Sequence, residues 1–254
     1  MSTTYHIGIR METDAGRKAA AEAEGPTESL VDRVMAEVTD YIRAHGLEPG
    51  AILPSEATFA AKVGASRAVA REGFRGLAAL RLIDVGNGRR ARVAPVDESV
   101  VSLMMDHAVH TKQITVQQIL DVRRTIELRT VALAALRRTD AEAAAIGELA
   151  AEMSRGFDRP AEVMEFDIEF HEAIARASRN PLFALLVGSF RVVTRQTWAT
   201  GWASRPTDAA RRENVEGHAV IASAIQARNV AGAEKAMADH FDLTVKALLN
   251  AGVN

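Results

Sequence analysis

The chain contains no cysteine in 254 residues. That removes disulfides, thiolate metal sites, iron–sulfur clusters and cysteine nucleophiles from consideration, and it is compatible with a reducing compartment. Long apolar runs are also missing. The longest strongly apolar stretch, 181–190, is about half the ~20 residues a membrane-spanning helix needs. The first residues, MSTTYHIGIRMETDAG, carry no apolar signal core, so no export signal is read and a cytoplasmic location is expected. Charge of one sign does not dominate either, because the formal net charge is only −2. No internal repeat is visible, and the only low-complexity stretch is an alanine-rich tail within 1–26.

What is present is unevenly placed. Positions 62–92 hold eight basic residues against two acids, a surplus of six, which leaves the rest of the chain with a deficit of eight. A short basic block on an acidic remainder predicts one module for a polyanion and a second for another task. Apolar residues at 48% and charged residues at 25% supply an ordinary globular core, and the length suits one large or two ordinary domains.

Periodicity predicts a mainly α protein. A flexible tail over 1–26 ends at Gly25-Pro26. The first helix spans 27–45, with Thr27 as cap and Leu30, Val34, Val38, Tyr41 and Ile42 at helical spacing. Ser55 caps a second helix that ends at Gly64, and Ser66 caps a third that runs to about Arg81. Two short β-prone segments around Gly86-Asn87-Gly88 then read as a hairpin. The expectation for 27–95 is a winged helix-turn-helix. After a boundary at Pro95 and a linker or short helix over 96–113, six helical segments (116–139, 140–155, 161–178, 181–200, 208–228 and 230–249) predict an antiparallel helical bundle over 114–254.

In the basic block, Arg67, Arg71 and Arg75 fall one turn apart along one helix face. Val69, Leu77 and Leu80 face the other way, with Phe74 beside them. A helix in the major groove presents its N-terminal residues to base edges, and guanidinium pairs bidentately with guanine. Arg67 and Arg71 are therefore the candidates for base contact. Ser55 and Ser66 are candidates for phosphate, and the turn at Asn87-Gly88, followed by Arg89, Arg90 and Arg92, for a wing reaching the adjacent minor groove. The plainer reading, a solvated charged helix beside a charged hairpin, explains any one of these features but not their combination.

The order Leu53-Pro54-Ser55-Glu56, Val63-Gly64-Ala65-Ser66-Arg67, Arg71-Glu72, Leu77 and the Gly-x-Gly wing resembles the GntR family of bacterial transcription regulators, over about residues 28–95. Ala57 stands where that family often carries an arginine. Gly73 replaces a usual alanine inside the third helix, at up to ~1 kcal/mol of helix propensity.

The bundle holds a second constellation. Asp167 and His171 are i and i+4 at the border of a stripe made by Val163, Phe166, Phe170 and Ile174. His218 shares its apolar face with Ile221, Ala222 and Ile225, and His240 shares its face with Met237, Phe241 and Leu248. A single inward histidine is ordinarily a core residue bonded to a neighbour. Three on three helices, with an acid one turn from one of them, match the way metal sites are built inside bundles. An oxygen-and-nitrogen donor set suits zinc, nickel, manganese or iron.

Arg123-x-x-x-Glu127, Phe166-Asp167-x-x-Phe170-His171, Asn180-Pro181, His218 and His240 resemble the FCD effector domain of the FadR-type GntR subfamily, over about 114–250. The resemblance implies metal ligands at Asp167, His171, His218 and His240, with zinc the first candidate, and a small organic acid beside the metal. Gly217 replaces a usual glutamate before the third histidine.

Arg123 and Arg195 are the candidates for the acid's carboxylate, against plain ion pairs such as Arg123 with Glu127. Trp198 and Trp202 either line a pocket mouth or pack between helices. The expected function is a metabolite-responsive DNA-binding regulator, most simply a repressor. It would act as a homodimer on a pseudo-palindromic operator in double-stranded DNA, and it would not be an enzyme. Two alternatives remain: a metal-dependent enzyme acting on a small carboxylate, and a constitutive DNA binder whose bundle only dimerises.

Overall fold

The computed structural model describes residues 29–86 and 88–253. They form two compact units divided between Pro95 and Val96. Eleven helices and one two-stranded sheet are present among the described residues, and none of those helices is long and apolar enough to cross a membrane.

The first unit contains α1 (Leu30–Ala44), α2 (Glu56–Val63), α3 (Arg67–Ala79), β1 (Ile83–Asp84) and β2 (Arg92–Val93). Ser29 caps α1 in a reciprocal box with Asp32, which satisfies two otherwise orphan amides. The expected cap, Thr27, lies outside the described residues, as do the tail at 1–26 and Asn87. Ser55 caps α2 by accepting from the Thr58 amide at 3.2 Å. Gly64, at φ +69°, ends α2 in the left-handed region, where only glycine is unstrained. Ser66 caps α3 by accepting from the Val69 amide at 3.3 Å.

The core of this unit is small and aromatic. Phe59 and Phe74 lie 5.6 Å apart, and Tyr41 meets the edge of Phe59 at 5.6 Å. Phe74 and Leu77 are fully buried, as expected, whereas Leu80 caps α3 and is 48% exposed. Gly73 has a packing reason. A Cβ there would lie 2.8 Å from Val34 Cγ1, so the close approach of α1 and α3 offsets the lost helix propensity. The wing is shorter than expected. Among the described residues only Ile83↔Val93 and Asp84↔Arg92 pair, in antiparallel register. The base of the wing is held from outside: Ile52 bridges to Arg92, and Arg92 Nη1 donates to the Gly50 carbonyl at 2.6 Å.

The second unit is all helical, with α4 (Ser99–His110), α5 (Val116–Arg137), α6 (Asp140–Arg155), α7 (Pro160–Ala177), α8 (Pro181–Ser189), α9 (Arg191–Ala203), α10 (Asp208–Gln226) and α11 (Val230–Asn250). Thr115 and Thr139 open α5 and α6 with capping boxes, and Asn180-Pro181 opens α8. α5 is the central helix. It packs against α7, α8, α10 and α11, and its residues 130–135 are buried around the whole circumference, as expected for a helix enclosed by others.

Two expected boundaries differ. The single helix expected over 181–200 is broken at Phe190, just after Ser189 turns its hydroxyl onto the Leu186 carbonyl at 2.6 Å; such side-chain bonds compete with the helix ladder. The expected stop at Gly201 does not occur. The helix continues to Ala203, and a Cβ at Gly201 would approach Leu248 at 3.3 Å, so the glycine serves close helix packing. The segment expected to be a linker or short helix contains α4, which packs on α8 and α9.

Candidate nucleic-acid interface and metal centre

In the first unit, the capped start of α3 and the wing enclose a cleft of about 570 Å³. Ser55, Arg67, Arg71, Gly88 and Arg89 line it, together with Arg90. Ser66, at the start of α3, and Arg75, one turn beyond Arg71, are exposed but do not line the cleft. Arg71 Nε lies 3.4 Å from Glu56 Oε2, which ties α3 to α2 and orients the guanidinium. Arg92 is absorbed in holding the wing base, so Arg89 and Arg90 are the wing cations that remain. A cleft edged by helix-borne and wing-borne guanidinium groups suits a phosphate backbone, and Arg67 sits at the helix start, where base edges are met.

In the second unit, Asp167, His171, His218 and His240 converge from α7, α10 and α11. All four are buried, and one ligand atom from each lies within 4.8 Å of the others. The apolar neighbours enforce this. Phe170 and Ile174 bury one side of α7, Ile221 and Ile225 bury one side of α10, and Met237 and Phe241 bury one side of α11. The histidine rings are in mutual contact, with centroids 4.4 Å apart for His218–His240, 5.2 Å for His171–His240 and 5.8 Å for His171–His218. The edge of Phe170 closes on His218 at 5.1 Å.

The polar atoms of this cluster are fixed from behind. His218 Nδ1 meets the Asn214 carbonyl at 3.0 Å, and its Nε2 meets Asp167 Oδ1 at 2.7 Å. His171 Nδ1 is bonded to Glu127. Glu127 also accepts from Arg123 Nε at 2.5 Å, and Arg123 Nη1 donates to Thr194 Oγ1 at 2.8 Å. By contrast, His171 Nε2 and His240 Nδ1 are buried with no hydrogen-bond partner. Orphan nitrogens of this kind are costly in a protein interior. Beside a buried carboxylate and a second imidazole, they fit a divalent cation. The bond from Glu127 to the far nitrogen of His171 is the support that metal-binding histidines ordinarily receive.

Electrostatics favour the same reading. Burial works against the Asp167 charge, but the hydrogen bond and electrostatic pull of His218, aided by His171, outweigh it and hold the carboxyl far below the usual range. Burial likewise opposes the Glu127 charge and is outweighed by Arg123 and His171, so Glu127 stays ionised. Burial, reinforced by repulsion from His218 and His171, pushes His240 well below its ordinary value and keeps it neutral, the form that binds a metal.

Asp167 and His240 line a cavity of about 50 Å³, together with Arg123, Thr194, Trp198 and Arg205. Trp198 stacks on Trp202 at 4.9 Å, and Trp202 itself is part of the apolar core. Arg195, expected to hold a carboxylate, does not reach this cavity. It points outward from α9 and forms a forked ion pair with Glu165 at 2.6 and 2.8 Å. The cavity side of α9 is Thr194, Thr197, Trp198 and Gly201, and Arg195 is rotated from Thr194 by about 100° of helix. Arg205 was not anticipated, because it follows α9 in a connecting segment where no periodicity exists to read. Asn214 lines the cavity as well, and its place one turn before His218 was a readable signal.

Comparison with known proteins accounts for both units. The model for bacterial regulatory proteins of the gntR family matches residues 30–93, and the FCD domain model matches residues 118–243. The chain is 32% identical over 203 residues to the HTH-type transcriptional regulator LutR of Bacillus subtilis (strain 168), across 76% of this chain and 90% of that protein. It is 29% identical over 221 residues to the galactonate operon transcriptional repressor of Escherichia coli (strain K12), across 83% and 93% respectively. A solved structure of Streptococcus agalactiae GntR shares the fold, with a TM-score of 0.60 at 22% identity over 85% of this chain and 99% of that one. The chain therefore belongs to the gntR family of bacterial regulatory proteins, among those that pair the helix-turn-helix with an FCD domain, and it is a transcription regulator rather than an enzyme.

Proposed function

We propose that the protein is a metabolite-responsive repressor acting in the cytoplasm. Residues 27–95 bind a pseudo-palindromic operator, and residues 114–254 bind a divalent metal and a small organic acid and hold a homodimer together. The two recognition helices of the dimer would enter major grooves about 34–36 Å apart. Relatives whose printed names call them repressors support the sign of regulation.

The observation that carries the reading is the buried Asp167, His171, His218 and His240 cluster, whose unpartnered nitrogens sit beside a cavity lined by Arg123. Zinc is the first candidate for the ion, with nickel, manganese and iron compatible with the same donors. The ion would supply a Lewis-acid seat for a carboxylate or hydroxyl, while Arg123, held by Glu127, would orient the acid.

Within the second unit, α9 connects the cavity to α4, the first helix after the boundary at Pro95. One face of this helix lines the cavity, and the helix also packs on α4. Gln196 Nε2 donates to Asp106 Oδ1 on α4 at 2.5 Å, and Ser102 of α4 donates to the Ser189 carbonyl at 3.1 Å. An acid that binds one placement of α9 better than another would shift α4, the helix nearest Pro95, by its differential affinity and no more.

The test is a titration of metal-loaded protein with hydroxy acids, sugar acids and dicarboxylates, following melting temperature and affinity for DNA upstream of its own gene. At least one acid is expected to raise the first and change the second. A panel that moves neither leaves a constitutive DNA binder.

A further inference from the structure

The cavity in the second unit is lined by two arginines in different electrical states. Arg123 is neutralised by Glu127, with Nε–Oε1 at 2.5 Å. Arg205 has no such partner. Its Nη1 donates to the Gly201 carbonyl and its Nη2 to Asn214 Oδ1, each at 2.6 Å, and both acceptors are uncharged. Among the described residues no carboxylate lies within ion-pair distance of Arg205. Burial works against its charge, the pull of Asp167 only partly opposes this, and Arg211 adds repulsion, so its pKa is lowered. A guanidinium nevertheless stays protonated in a protein. A partly buried cation held in place by neutral groups is a seat for an anion.

Its position gives the seat a direction. Arg205 and Asn214 also line an outer pocket of about 290 Å³, with Glu213 and Lys246 on its walls. The pair is therefore the partition between that pocket and the inner cavity. The Asn214 side chain fixes Arg205, while its carbonyl fixes His218, so the partition and the imidazole cluster share one residue.

We propose that Arg205, held by Asn214, anchors the far carboxylate of a compact dicarboxylic acid whose near carboxylate meets the metal centre and Arg123. The inference rests on the effector reading above and narrows it. The charges ask for a dianion: a divalent ion against the single Asp167 carboxylate leaves one positive charge, Arg205 adds another, and Arg123 and Glu127 cancel. The size asks for a short one, because about 50 Å³ is room for about four waters. That suits a diacid of three or four carbons better than a long sugar acid.

The experiment is calorimetric titration of full-length, metal-loaded protein with malonate, malate and lactate. Wild-type protein is expected to bind malonate or malate at least tenfold more tightly than lactate. Arg205→Met should cost the diacid tenfold or more while lactate changes less than twofold and bound metal, measured by elemental analysis, is unchanged. Arg205→Lys keeps the charge and loses the forked geometry. It should weaken the diacid at least threefold with lactate unaltered, and it carries the test if the methionine variant does not fold. Equal losses for lactate and diacid, or a diacid affinity untouched by either variant, overturn the anchor and leave the effector reading standing. Wild-type protein that holds its metal but binds none of the three acids overturns the diacid assignment, and the wider acid panel then decides the effector reading itself.

Discussion

The two units of this chain use charge in opposite ways. In the first, Arg67, Arg71, Arg75 and Arg89 are all exposed, and only Arg71 meets an acid, Glu56, at 3.4 Å. These side chains contribute little to folding, which rests on Phe59, Phe74, Leu77 and Val34. In the second, Arg123, Glu127, Asp167 and three histidines are buried together, and most are held by another member of the set. An exposed cation can be removed without disturbing the fold beneath it. A buried one cannot, because the partner it leaves behind has no water to turn to. Site and stability are separable in the first unit and inseparable in the second.

The sharpest way to break that contrast is Glu127→Ala. It strands both Arg123 and His171, and the expected loss is about 3–5 kcal/mol of stability in chemical denaturation, with weaker metal retention. A loss below about 1 kcal/mol would show that the buried network behaves like a surface pair. Gly73→Ala probes the fold of the first unit without touching a charge. The added Cβ meets Val34 at 2.8 Å, and overpacking of about 1–3 kcal/mol should outweigh a helix-propensity gain of at most ~1 kcal/mol; a stabilised variant would refute the close-packing account.

Arg67→Ala should leave the melting temperature unchanged and weaken operator binding by about 1–3 kcal/mol, read by fluorescence anisotropy. The remaining affinity should still fall steeply as salt is raised. A melting temperature that drops along with the affinity would erase the distinction between the units. The smallest effect is expected at Arg195→Ala. Its forked pair with Glu165 lies on the surface, so the change in stability should be at most about 1 kcal/mol, with acid binding unaltered. A lost response to acid would return Arg195 to the site.

Much of both sites was readable from residue order alone. Ser55 and Ser66 announce helix starts because their hydroxyls can satisfy amides that no helix supplies for itself, and Arg67, Arg71 and Arg75 share a face by the helical repeat. The Asp167–His171 spacing and the apolar neighbours of His218 and His240 likewise pointed inward. The failures have a common cause. Leu80 was assigned to the core by spacing, yet it caps α3 and is half exposed. Gly201 was read as a stop and is instead a contact with Leu248. Arg205 leaves no comparable signal, because a helix has a period to read and a connecting segment has none.

Local order in the sequence determined where the helices start, which faces are apolar, that a cationic helix follows a capped turn, and that three imidazoles and a carboxylate turn toward one interior. These depend on contacts within a few residues, where the backbone's own geometry sets the spacing. Only the tertiary structure decided that Glu127 stands behind His171, that Arg123 is neutralised while Arg205 is not, and that α9 lies between the cavity and α4. Those facts depend on which helix packs beside which and in what rotation. That outcome is settled by apolar burial across the whole unit rather than by any one segment.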